Sequence, residues 1–233
     1  MIPCRLLQAI PDADLQALLP LTVERELARG NVVELPGNPV EQAYFFTGGF
    51  ASILIEVGSR TMEVGLVGRE GMLGLPAVMG AEIAEYHAVV REPVRALQVP
   101  VAQLRELMTT RRALGAVMLR YMQVGVAQIT HTAFANAQLT IAQRLARWLL
   151  MAHDRVEGDV LRITHAVLSD ALGVRRPGVT MALHELESEN LIRSVYRAVT
   201  ILDREGLKAH TLGAYGPAEN AYRLLLGRGF ARE

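Results

Sequence analysis

The chain is poor in several residues on which whole classes of function depend. A single cysteine, Cys4, among 233 residues excludes an internal disulfide and any thiolate cluster for zinc or iron–sulfur built by this chain alone. Lysine is nearly absent. Of the 24 basic residues only Lys208 is a lysine, and the arginines that replace it suit phosphates and guanine edges, although GC-rich coding produces the same bias. Acidic residues also number 24, so the chain is not basic all over. Local basic patches remain open: 11 basic and 13 acidic residues precede Ala135, and 13 basic and 11 acidic follow it. No apolar run reaches the length of a spanning helix. Residues 1–21 are interrupted by Asp12 and Asp14 and have neither a basic start nor a small-residue cleavage site, so a cytoplasmic location without membrane contact is expected.

Catalytic signatures are missing too. There is no Gly-x-Ser-x-Gly elbow, no phosphate loop ending in Gly-Lys-Ser/Thr and no His-Glu-x-x-His pair. The glycine-rich N-terminal segment holds one histidine, His87, where a barrel-type metal enzyme needs several ligands. His131, His153, His165, His184 and His210 show no ligand spacing. No catalytic residue and no metal site are assigned, and an enzyme is not expected. With 51% apolar and 21% charged residues, bulk disorder is excluded, and the length allows one large or two small domains.

What is present changes texture along the chain. From Asn31 to Gln98, apolar runs are broken by glycine and proline every 8 to 12 residues, the pattern of a small sandwich or barrel. The runs end at Pro36-Gly37, at Gly48-Gly49 and at Gly58-Ser59, with further strands expected over Met62–Val67, Met72–Met79 and His87–Val99. From Val101 the period becomes helical and no proline appears up to Phe134. Leu114, Val117, Tyr121, Val124 and Gln128 repeat at a/d spacing and are assigned as a dimer seam, while Met118, Met122, Val126, Ile129 and Ala133 form another face. A single helix buried in one domain remains the alternative. Phe134–Leu139 is a candidate hinge. Thr140 with Gln143 forms a capping box that opens the next helix.

Thr164 caps a short helix over His165–Leu172, Gly173 breaks it, and a second helix runs from Arg176 to about Glu189. Such a pair, with Leu168, Leu172, Val179 and Leu183 as its shared core, is a helix-turn-helix whose second helix enters a major groove. Arg175, Arg176, Pro177, Gly178 and Thr180 occupy its first turn, where arginine reaches guanine O6 and N7. Two short apolar strands around Ser194–Arg197 read as a wing, with Arg193 and Arg197 toward a phosphate backbone.

The run Ile163-Thr164-His165 through Leu172-Gly173-Val174-Arg175-Arg176-Pro177-Gly178-Val179-Thr180 resembles the winged helix-turn-helix of the Crp/Fnr family of bacterial transcription regulators. Val64–Leu75 resembles the strand-turn-strand around that family's effector pocket, and Leu145–Leu150 its first helix after the hinge. The resemblance covers about Ala13 to Leu207. It implies an α+β chain: a jelly-roll barrel (double-stranded β-helix) of the cyclic-nucleotide-binding type over 1–105, a long dimerisation helix over 106–135, and a winged helix-turn-helix with a C-terminal extension over 136–233. It further implies a homodimer on a near-palindromic operator in double-stranded DNA, with RNA polymerase as a partner. The residues expected to read or position DNA are Thr164, His165, Arg175, Arg176, Pro177, Gly178, Thr180, Met181, His184, Arg193 and Arg197. Pro177 and Met181 replace a glutamate and an arginine that often read bases in the family, so the operator is expected to differ from its best-known consensus.

The expected effector pocket comprises Gly71, Met72, Leu73, Gly74, Tyr86, His87 and Ala88. It lacks the family's ribose-binding glutamate, since Gly71-Met72-Leu73 stands where Gly-Glu-Leu is usual, and Tyr86-His87-Ala88 replaces the phosphate-binding arginine and hydroxyl residue. Cyclic AMP or GMP in the usual mode is therefore not expected, because a buried phosphate without its guanidinium loses a charge-assisted pair. Iron–sulfur is excluded by the cysteine count, haem on His87 is not expected, and the effector stays unidentified. The competing reading is a barrel protein that binds a ligand or protein partner but not DNA, its helix-turn-helix serving only as packing. Salt-dependent retention on DNA separates the two.

Overall fold

A computed structural model of the chain describes residues 3–227 and 229–232. After a short helix α1 (Asp12–Leu18), period-2 patterning builds six strands: β1 (Val23–Leu27), β2 (Val32–Glu34), β3 (Gln42–Val57), β4 (Arg60–Val67), β5 (Met72–Leu73) and β6 (His87–Pro100). They pair antiparallel in the order β1-β6-β3-β4, with β2 added to β6 and β5 to β3. The break expected at Gly48-Gly49 is instead a bulge inside one long strand. The β3–β6 register shifts three times between Phe46 and Ala51, and Gly49 has φ +72° with Pro93 O only 2.0 Å from where a Cβ would sit. Bulges coil a sheet, and this one closes over Phe46, Ala51, Val90, Val94 and Ala96. The strand expected over Met72–Met79 stops at Leu73, because Gly74 at φ +84° and Pro76 start a one-turn helix, α2 (Leu75–Val78).

The helical stretch after the barrel is two helices, α3 (Val101–Thr110) and α4 (Arg112–Gln138), separated by Arg111 at φ −110°, ψ 76°. The long helix therefore begins at Arg112 rather than 106. A carboxylate distant in sequence supplies its start: Asp14 Oδ2 accepts from Leu114 N at 3.1 Å, and Asp14 Oδ1 lies 3.6 Å from Arg111 Nη1. A negative side chain at a helix N-terminus satisfies an orphan N–H and opposes the dipole. The residues expected as a hinge are helical up to Gln138, and only Leu139 and Thr140 are extended before α5 (Ile141–His153). Both halves of the Thr140/Gln143 capping box are present, at 3.0 and 3.3 Å.

The C-terminal part continues with β7 (Val160–Leu161), α6 (His165–Leu172), α7 (Arg176–Ser188), β8 (Ile192–Val195), β9 (Ala198–Ile201), α8 (Arg204–His210) and α9 (Pro217–Leu226). Its three-stranded sheet has the order β7-β9-β8. The extension does not stay with the wing. α9 returns to pack on α4, and Tyr222, Leu226 and Phe230 share a core with Cys4, Leu104 and the inner face of α4.

That packing corrects the assigned dimer seam. Leu114, Val117, Tyr121 and Val124 are all buried within one chain, and Gln128 accepts from Leu66 N of the barrel at 2.7 Å. Of the second face, Met118 is also buried in that core, and the exposed apolar side chains of α4 are Leu119, which neither face included, with Val126 and Ile129, each about half exposed. Both faces have a/d spacing, so periodicity could not say which one faces the chain's own barrel. Among the described residues, no helix is long and apolar enough to cross a membrane.

Candidate functional site

The helix-turn-helix follows from local signals. Thr164 accepts from Val167 N at 3.3 Å and caps α6. Gly173 takes φ +62° to end it. Pro177 falls in the first turn of α7, where its missing N–H costs nothing. One face of the pair joins Trp148, Leu149 and the wing strands in a common core through Leu168, Val179, Leu183 and Leu186.

The opposite face is an open groove of about 760 Å3 between the α6–α7 pair and the wing. Thr164, His165, Arg176, Thr180, His184 and Arg197 line it, so six of the expected DNA residues converge. His165 Nδ1 and Thr180 Oγ1 are 3.4 Å apart across the two helices, and Thr180 Oγ1 also donates to Arg176 O. Arg175 is the exposed N-cap of α7, and Pro177, Met181 and Arg193 are exposed beside the groove without lining it. Gly178 differs. A Cβ there would meet Ile141 at 3.4 Å and Val174 at 3.7 Å, so its Cα faces the core beneath α7.

Two residues absent from the expected set belong to this surface, Tyr196 of the wing and Glu187 of α7. Tyr196 is 89% exposed at the hairpin tip, with the Arg197 guanidinium 5.7 Å from its ring centroid. Glu187 accepts from Ser194 N at 2.6 Å and fixes the wing to α7. An exposed aromatic beside an arginine at a hairpin turn is a sequence-level signal for Tyr196. Glu187 had none, because its partner is a backbone N–H.

The arrangement can hold a duplex. The N-terminal turn of α7 presents Arg176 outward, and the Arg197 side chain stands on the far bank of the groove, as a phosphate contact requires.

The second concave feature, a cavity of about 230 Å3, lies between the barrel, α4 and the C-terminal segment. Met72, Leu73, Gly74 and Tyr86 of the expected effector pocket line it. Gly71, His87 and Ala88 do not. A Cβ on Gly71 would lie 1.6 Å from Tyr121 Oη. His87 sits at the strand end, 3.2 Å from Glu56, and Ala88 is buried in the barrel core.

Where the two parts of the chain meet, charged groups are buried. Glu63 is fully enclosed between β4 and α5: Ser52 donates to one carboxylate oxygen and Trp148 Nε1 to the other at 2.7 Å. Burial pushes its pKa up to about 7 against the pull of these donors and of Arg91. Arg155, 2% exposed, pairs with Glu70 at 2.7 Å and donates to Met151 O and Leu66 O.

Two family models match the chain, the cyclic nucleotide-binding domain over residues 24–111 and the Crp-like helix-turn-helix domain over residues 143–210. The chain is 28% identical over 188 residues to the transcriptional regulator SdrP of Thermus thermophilus, covering 77% of this chain and 89% of that protein. It is 25% identical over 197 residues to the global nitrogen regulator of Synechococcus elongatus, covering 79% and 87%. Its fold is similar to that of a Crp/Fnr-family regulator from Eubacterium rectale, with a TM-score of 0.71 at 16% identity, covering 89% and 97%. With barrel, long helix and winged helix-turn-helix in this order, the chain belongs to the Crp/Fnr family of DNA-binding transcription regulators.

Proposed function

We propose that this regulator acts in the cytoplasm as a homodimer on a two-fold symmetric operator, with a barrel that senses something other than a cyclic nucleotide. The observation that carries the DNA reading is the groove in which Arg176, Thr180, His184 and Arg197 converge. Two copies join through the outer face of α4, where Leu119, Met122, Val126, Ile129 and Ala133 recur at alternating spacings of three and four and include three half-exposed apolar side chains. Each copy presents one α7 to a half-site, with half-site centres about 10 bp or a multiple apart. Among the described residues the barrel offers a phosphate no free guanidinium: Arg155, the arginine that lines its cavity, is engaged by Glu70 and two carbonyl oxygens. Contact with RNA polymerase turns operator occupancy into transcriptional output, and the protein has no catalytic step of its own.

Selection of bound sequences from a random duplex pool by the purified protein, at near-physiological salt and without added ligand, tests this. A two-fold symmetric motif is expected. Enrichment of a single asymmetric half-site would refute the dimer, and no enrichment either alone or in cell extract would refute operator recognition.

A further inference from the structure

In the cavity beside the barrel, the C-terminal segment forms one of the walls. Ala218 and Glu219 of α9 and Phe230 beyond it line the cavity together with Met72 and Leu73 of the barrel and Met122 of α4. Without that segment the site is incomplete. Its volume of about 230 Å3 is larger than the roughly 150 Å3 that takes one benzene ring and smaller than the about 300 Å3 at which sites for drug-sized ligands begin. A molecule of two fused rings, or an aliphatic of that bulk, matches it.

The polar groups restrict the chemistry further. Three carboxylates line the cavity, Glu34, Glu70 and Glu219, against one guanidinium, Arg155, which is already committed to Glu70, Met151 O and Leu66 O. Among the described residues, an anion therefore meets more carboxylates than cations and no free guanidinium. Glu34 Oε1 and Glu219 Oε2 are occupied by the backbone N–H groups of Gly74 and Gly216. Glu70 is different. Its side chain is 4% exposed, its Oε1 accepts from Arg155 and from Gly68 N, and its Oε2 is buried without any partner. A buried acceptor left empty costs free energy that a donor brought by a ligand recovers.

Building on the sensor reading above, we infer that this cavity binds a small, uncharged, mostly apolar molecule carrying one hydrogen-bond donor, which Glu70 Oε2 accepts while Phe230 and Met72 enclose the apolar body. The occupant then touches the segment that ties the DNA-binding part down. Phe230 lies under the Arg155 guanidinium at 5.1 Å, and Arg232, two residues on, donates through its backbone N to Asp154 Oδ1 at 2.9 Å.

Titration calorimetry of the full chain with three probes of one shape tests the inference: 1-naphthol, naphthalene and 1-naphthyl phosphate. One 1-naphthol per chain is expected, bound at least tenfold more tightly than naphthalene, with no measurable binding of the phosphate. Ile53→Trp, which fills the cavity from β3, is expected to weaken 1-naphthol at least tenfold, and Val67→Phe serves the same purpose if the first variant does not fold. Equal or tighter binding of the phosphate, equal binding of naphthalene, undiminished binding to a folded filled variant, or no binding of 1-naphthol would each overturn it. Operator binding is measured on the same preparations. Failure in the calorimeter with operator binding intact removes the ligand class alone, whereas loss of operator binding bears on the DNA reading.

Discussion

Arg176 and Glu63 show how differently a residue's role is written at its own scale. Arg176 stands exposed in the first turn of α7, where a guanidinium reaches a guanine edge bidentately. Arg176→Ala is expected to weaken operator binding by about 1 to 3 kcal/mol and random DNA much less. Equal losses in competition assays on both would reduce it to a phosphate contact. Glu63 draws its properties from surroundings that no local pattern announces. With its pKa raised from 4.5 to about 7, the folded protein keeps a proton that the unfolded chain has lost. Its contribution to stability is complete below about pH 4.5 and is lost as pH rises toward about 7. Its partner Trp148 is the only tryptophan in the chain, so intrinsic fluorescence is expected to titrate with a midpoint near 7 and to lose that transition in Glu63→Gln. A flat wild-type titration between pH 5 and 8 would mean that the carboxylate is ionised throughout.

At the scale of elements, α4 shows what periodicity delivers and what it withholds. Two apolar faces were legible in its sequence, since Leu114, Val117, Tyr121 and Val124 recur as regularly as Met122, Val126 and Ile129. The inner face is settled by contacts distant in the chain: Tyr121 Oη accepts from Met72 N at 3.2 Å, and Gln128 from Leu66 N. A charge introduced on each face therefore has a different consequence. Ile129→Asp is expected to yield a folded monomer by light scattering, with an unfolding midpoint that no longer depends on protein concentration. Tyr121→Asp buries an unpaired charge in the subunit core and is expected to lower stability by several kcal/mol. A dimeric Ile129→Asp protein would place the interface elsewhere. The helix-turn-helix was more legible, because Thr164, Gly173 and Pro177 specify its ends with chemistry confined to a few residues. Its groove was legible less completely, for Glu187 and Tyr196 enter it only when the wing folds back on α7.

At the scale of the whole molecule, the DNA-binding part rests on the barrel through mixed contacts. α6 packs on β4, Met62 lies 3.4 Å from where a Cβ on Gly173 would sit, and Arg91 approaches Asp170 at 3.8 Å. The C-terminal segment spans the junction: Tyr222 donates to Glu70 O at 2.8 Å on the barrel side, and Arg232 holds Asp154 beyond α5. A chain ending at Gly216 loses the buried side chains of Tyr222, Leu226 and Phe230, each worth about 1.5 to 3 kcal/mol of burial. It is expected to unfold at lower urea and to be cleaved faster by protease near Leu139, the extended joint between α4 and α5. An unchanged cleavage rate would show that the junction holds without the segment.

The sequence by itself determined the order of parts, the start of α5, the ends of α6 and α7, and the helix-turn-helix with its outward Arg176. Each of these depends on residues close together in the chain, where capping, glycine conformation and apolar period act locally. Only the tertiary structure decided which face of α4 stays free, where α4 begins, and that the C-terminal segment walls the barrel cavity. Those outcomes rest on pairs separated by many residues, such as Asp14 with Leu114, Glu63 with Trp148 and Glu70 with Tyr222. No local pattern encodes such a partner, because desolvating a charge or an apolar face depends on what packs over it, and that is settled when the whole chain has folded.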